Sequence, residues 1–213
     1  MTDMDRRGQV LENPVTGERV VILTDPAQHP DRVLVAHLFV SPGGRVAAEH
    51  FHPTLTERFH VIRGQVGFLI DGEERLLAPG DHATVPPGTR HDWWQVGPET
   101  AEVVVEVAPG DGFVEMVGTL FGLARDGKAN RRGLPGLLQL AVTANTYRDV
   151  MVVTSPAPAV QRPLFLLLAA IGHTTGLKAA YPKYLTSDEV VEPSPEALAL
   201  LTDDGRLKPF DPD

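Results

Sequence analysis

Three histidines and one glutamate lie close together in two short stretches, and their types and spacing fit one metal ion. The first stretch, GRVAAEHFHPTLTERFHVIRG from Gly44 to Gly64, holds His50, His52 and Glu57 between two glycines. The second, GDHATVPPGTRHDWWQ from Gly80 to Gln95, places His91 just past a Pro-Pro-Gly turn. Side chains alternate faces along an extended strand, so His50 and His52 point the same way. Taken singly, each histidine reads as a surface or hydrogen-bonded side chain. Together with a carboxylate they form a mixed nitrogen–oxygen set suited to one divalent Mn, Fe, Co, Ni, Cu or Zn ion. Such ions commonly take six ligands, leaving two positions for water, dioxygen or a chelating molecule.

The elements that must position these groups are short strands separated by frequent turn signals between Arg19 and Pro109. β-rich runs cover 20–23, 33–40, 46–52, 59–62, 66–70, 73–77, 82–85, 91–96 and 101–108. Asp71-Gly72 predicts a tight hairpin. Alternation sets Phe59 and Val61 on Glu57's face, and Trp93 and Gln95 on His91's face, so these four are the expected substrate-pocket wall. It turns His60 and Trp94 away, and His60 and His82 are expected to be structural. Glu49 is expected to face solvent, and Arg58 and Arg90 to form exposed ion pairs. Beyond Gly110 the period changes. Phe113, Met116, Val117, Leu120, Phe121 and Ala124 recur at helical spacing. A second helix is predicted from Pro135 towards Asp149, and a loop from Thr154 to Arg162. A third helix is predicted from Pro163, so apolar over 164–171 that it should be covered, and a short fourth one behind Ser194.

These residues resemble the two motifs of the cupin superfamily. Gly44, His50, His52, Glu57 and Gly64 fill each fixed position of the first motif; Gly80, Pro86, Gly88 and His91 fill the second, with Gln95 where Asn is usual. The resemblance implies a mainly β protein, a double-stranded antiparallel β-helix barrel (jelly roll) with a C-terminal α-helical extension, as in small bacterial type-2 cupins. It implies a barrel domain over residues 1–112 and an extension over 113–213. It also implies His50, His52, Glu57 and His91 as ligands of one divalent transition metal.

Composition narrows the function further. Residues 1–115 carry nine Arg, no Lys and eighteen Asp/Glu, an acidic balance that argues against nucleic acid as a partner. Residues 116–183 carry eight basic and two acidic groups, and residues 184–213 two and eight. The chain has no cysteine, which excludes disulfides and thiolate ligands and suits a reducing cytoplasm. No apolar run approaches the ~20 residues of a transmembrane segment. A small-molecule ligand and a homodimer are the expected partners. Among cupin activities, an apolar wall and a barrel without lysine favour a dioxygenase-like oxidoreductase over sugar-phosphate chemistry. A metal-dependent isomerase or lyase, and a non-catalytic ligand-binding protein, are the alternatives; no residue is assigned a catalytic role.

Overall fold

A computed structural model describes residues 5–187 and 189–210. Ten strands precede the helices: β1 Val10–Asn13, β2 Glu18–Thr24, β3 Leu34–Val40, β4 His50–Phe51, β5 Thr56–Arg63, β6 Gln65–Ile70, β7 Glu73–Leu77, β8 His82–Val85, β9 His91–Val96 and β10 Ala101–Ala108. Helices α1 Asp111–Arg125, α2 Leu137–Thr146, α3 Pro158–Thr174 and α4 Pro195–Ala199 follow, with a last strand, β11 Val152–Val153, between α2 and α3. The strands form two antiparallel sheets, ordered β1-β2-β3-β10-β5-β8 and β11-β4-β9-β6-β7. This is the expected jelly-roll barrel followed by helices. No helix among the described residues is long and apolar enough to cross a membrane.

Alternation decides which side chains fill the barrel. In β5 Glu57, Phe59 and Val61 are buried, and in β9 His91, Trp93 and Gln95 are. Phe59 and Phe68 meet edge-on with ring centroids 4.9 Å apart, joining the two sheets through the core. The β6–β7 hairpin turns at Asp71 and Gly72, both with positive φ (48° and 85°), as a two-residue hairpin loop requires. Asp71 also accepts the Arg90 amide through Oδ1 at 3.1 Å, tying this hairpin to the strand that carries His91.

Several elements depart from expectation. The predicted strand over 46–52 shrinks to His50–Phe51, because the chain bends through 47–49. Val46 still donates to the Trp93 carbonyl at 3.2 Å. Strand β1 lies outside the runs expected from the sequence; its Leu11 and Glu12 pair with Val20 and Arg19 of β2. Helix α3 begins at Pro158 rather than Pro163, which sits inside it. Pro158 takes a first-turn position, where a missing N–H costs nothing, and the loop predicted to reach Arg162 is shorter than expected. Finally, α3 is covered on one face only. Gln161, Phe165, Ala169 and Gly172 are buried, whereas Leu164, Leu166, Leu167 and Ile171 remain 41–62% exposed.

The segments after the barrel wrap both of its sides. Strand β11 adds to the edge of the second sheet, Val152 opposite Phe51 and Val153 opposite His50. On the other side, Arg58 donates to the carbonyls of Leu207 (2.8 Å) and Lys208 (2.5 Å). Its guanidinium lies 4.4 Å from the Phe210 ring centroid. Phe210 stacks on His82 at 4.2 Å, so His60 and His82 face the C-terminal tail rather than the cavity.

Candidate metal centre

The four sequence-predicted ligands converge. One donor atom from each of His50, His52, Glu57 and His91 lies within 4.8 Å of the others, and all four residues are buried. Local structure explains the convergence. His50 and His91 are directly opposite one another on β4 and β9. The Pro-Pro-Gly turn is tied to the first motif by the Gly88 amide, which donates to the His52 carbonyl at 2.8 Å. Glu57 comes from the facing sheet, in register with Val107 and Val85.

The orientation of each imidazole is set from behind. Nδ1 of His50 meets the Ala48 carbonyl at 2.9 Å, that of His52 the Val150 carbonyl at 2.7 Å, and that of His91 the Thr89 carbonyl at 3.1 Å. A carbonyl only accepts, so each Nδ1 carries the proton, and the neutral ring turns its Nε2 lone pair inward. Nε2 of His52 and of His91 stand 3.1 and 3.0 Å from Glu57 Oε2, yet neither has a well-directed hydrogen-bond partner. Two buried imidazole nitrogens aimed at one point beside a buried carboxylate make a donor set that a divalent cation fits.

Electrostatics lead to the same conclusion. Burial alone would raise the Glu57 carboxyl, but His52 and His91 outweigh it and hold it well below the ordinary carboxylate range. Burial opposes charge on His52, yet Glu57 and the Val150 carbonyl raise it above the usual histidine value. His50, desolvated and beside His91 and His52, falls to about 3. The buried Glu57 charge therefore favours a positive charge among the three imidazoles. A divalent cation would supply that positive charge.

A cavity of about 140 Å³ opens beside His50 and Glu57. Of the expected pocket residues, Phe59 and Trp93 line it. Val61 is fully buried in the core cluster. Gln95 is engaged elsewhere. Its Oε1 accepts the Gly43 amide at 2.8 Å, and its Nε2 donates to the carbonyls of Val96, Gly97 and Glu99 at 2.6–2.9 Å. The Gln95 amide thus holds the loop between β9 and β10. Glu49 is not simply solvated. Its backbone carbonyl accepts the Thr154 amide at 3.0 Å, and its carboxylate accepts the Thr154 hydroxyl.

Several contributors were missed by sequence reasoning. Phe113, Val117, Leu120 and Phe121 of α1 close one wall of the cavity, and Met151 and Val153 close another. The apolar stripe of α1 was legible, but nothing in it says where the helix docks. Asn13 and Glu18 also line the cavity. Glu18 stands opposite Val40 at the end of β3, whereas Glu57 lies opposite Val107, which pairs with Leu34 at the start of β3. The cavity therefore runs from the metal donors towards a carboxyl at the other end of the same sheet.

The family comparison agrees with this geometry. Residues 36–108 match the model of the family described as Cupin domain. Residues 36–108 thus form a cupin domain, with a type-2 barrel. It is 29% identical over 79 residues to a quercetin 2,3-dioxygenase of Bacillus subtilis, covering 37% of this chain and 23% of that protein. It is 33% identical over 97 residues to an oxidoreductase of Arthrobotrys oligospora, covering 39% of this chain and 38% of the other. The matches thus span well under half the length of these curated relatives. An RmlC-like cupin of Shewanella frigidimarina superposes on 47% of this chain and 84% of its own, with 17% identity and a TM-score of 0.40.

Proposed function

We propose that this protein is a metal-dependent oxidoreductase of the dioxygenase kind, acting on a small chelating molecule about the size of one aromatic ring. His50, His52, Glu57 and His91 hold one divalent transition metal. When bound, that ion supplies Lewis acidity and open coordination positions beside the cavity. The observation that carries the reading is the cavity's lining: buried aromatic and aliphatic side chains beside His50 and Glu57, two of the four candidate donors, in a barrel segment without lysine. Phe59 and Trp93 orient the ring, Val61 backs them in the core, and Gln95 keeps the adjoining loop in place. Size sets the substrate class. An apolar cavity of ~150 Å³ accepts benzene, so ~140 Å³ takes one ring and not a three-ring flavonol. The identity to a quercetin 2,3-dioxygenase therefore supports the chemistry more than the substrate.

The test begins with metal content of protein purified without added metal, for wild type, His52→Ala and His60→Ala. Wild type and His60→Ala should carry about one transition metal per chain, and His52→Ala should lose it. Catechol-sized chelators should then quench Trp93 emission and support oxygen uptake. Zinc with no oxygen uptake would transfer the assignment to a metal-dependent isomerase or lyase, or to a ligand-binding cupin. Equal metal loss in both variants would remove the ligand set itself. Two further expectations belong to this reading: a cytoplasmic location, and a homodimer formed through the exposed leucines of α3. Leu167→Glu should reduce the mass measured by light scattering to that of one chain.

A further inference from the structure

A second and larger cavity, about 450 Å³, lies within the helical extension between α2, α3 and the segment before β11. Its walls are apolar: Met116 of α1, Leu140 and Ala144 of α2, and Phe165 of α3 all face it. Its mouth is charged. Arg148, Asp149 and Arg162 stand exposed there, with Arg148 and Asp149 paired at 3.9 Å. Arg162 makes no hydrogen bond or ion pair with any described residue. Leu120, Leu134, Met151 and Val153 line this outer cavity and also the inner one beside the metal donors. The two spaces are thus separated by a partition one side chain thick, and Met151 within it is an unbranched, adaptable residue. At about 140 Å³ the inner cavity is below the usual range for a ligand site, roughly 300–1,000 Å³, whereas the outer one falls inside it.

We propose that the outer cavity binds an elongated apolar carboxylate, with its acid group at Arg162 and its chain directed past Met151 towards the metal centre. This deepens the functional reading above and rests on it for the direction of the chain. Charge and lining set the ligand class: a mainly apolar cavity with one unpaired guanidinium at its exposed rim matches a single acid group on a hydrocarbon body. The partition also carries the support of the metal ligands. Val153 pairs with His50, and the Val150 carbonyl orients His52. A chain lodged against Met151 therefore presses on the segment that pairs with His50 and aims the His52 imidazole.

Straight-chain alkanoates from hexanoate to dodecanoate, titrated calorimetrically into the full-length protein, test the proposal. Titrations are run on metal-loaded and on chelator-stripped protein. Affinity should rise roughly fourfold per methylene until the cavity is full. Arg162→Glu should weaken every member about tenfold or more. Ala144→Phe, which fills the cavity, should abolish the dependence on chain length while melting like wild type. Leu76→Glu, exposed on β7 and outside the lining of the cavity, should leave binding unchanged. Binding should persist in stripped protein, so a protein without metal would refute the oxidoreductase reading and leave this site standing. Absence of saturable binding, no dependence on chain length, or loss of binding in Leu76→Glu but not in Ala144→Phe or Arg162→Glu would overturn it.

Discussion

Glu18 is a buried carboxyl with one short hydrogen bond and no cation, and its stability cost is open to direct measurement. Its side chain accepts the Thr16 hydroxyl at 2.6 Å, and no described cation forms an ion pair with it. Burial pushes its pKa up from 4.5 to about 7, with the Thr16 hydroxyl opposing the shift. A carboxyl raised on folding binds its proton more tightly in the native state. Its stabilising contribution is therefore complete below about pH 4.5 and is lost as pH rises towards 7. At 1.36 kcal/mol per pKa unit, the ionised form costs about 3 kcal/mol at pH 8. Glu18→Gln keeps an acceptor for Thr16 and removes the charge. It should match wild type near pH 4.5 and exceed it by up to ~3 kcal/mol at pH 8. For a chain of this size that corresponds to roughly 6–12 °C in Tm. Melting curves of both proteins from pH 4.5 to 8.5 measure the difference. A difference independent of pH, or a wild type that gains on the variant as pH rises, would refute the reasoning.

Three further outcomes follow from packing and hydrogen bonding. At Gly67 an added Cβ would lie 2.4 Å from the Trp94 ring, so Gly67→Ala should cost about 1–3 kcal/mol in urea midpoint measurements. Arg58→Ala removes two hydrogen bonds to the 207–208 backbone and its contact with Phe210, and limited proteolysis should then cut the C-terminal tail sooner at unchanged metal content. Thr154→Val removes the hydroxyl bonds to Glu49, and competition with a chelating dye should show metal affinity reduced severalfold with the fold retained.

The barrel was legible because its signals are local. Alternation in ERFHVIR and HDWWQV states which side chains are inside, and turn residues such as Asp71-Gly72 state where the strands end. The four-donor cluster was legible for the same reason, since each ligand lies within a strand-and-turn pattern of a few residues. What was not legible depends on contacts far apart in the chain. The Val150 carbonyl reaches His52 across 98 positions, and Thr154 reaches Glu49 across 105. A carbonyl carries no side-chain signature, so no pattern marks Val150 as a support for a metal ligand. Gln95 shows the opposite limit: its face was read correctly, but its amide is consumed by three carbonyls of its own loop.

The change of period near residue 112 divides the chain by element type, yet the candidate site is built across that line. Strand β4, which presents His50, is two residues long and meets β9 in a single register pair, His50 with His91. A strand that short gains little from one neighbour, and an unpaired edge would leave its backbone groups free to shift. Strand β11 supplies the missing partner on the other side, and Val150, immediately before it, holds the ring of His52. Imidazoles aimed to within a fraction of an ångström need that support from behind. The same segment contributes Met151 and Val153 to the cavity wall. The residues 36–108 that match the cupin family thus contain all four donors, while the strand pairing of His50 and the orientation of the His52 ring depend on residues 150–153, outside the matched region. A barrel shortened before α1 would keep the motifs and lose the geometry that makes them a candidate metal centre.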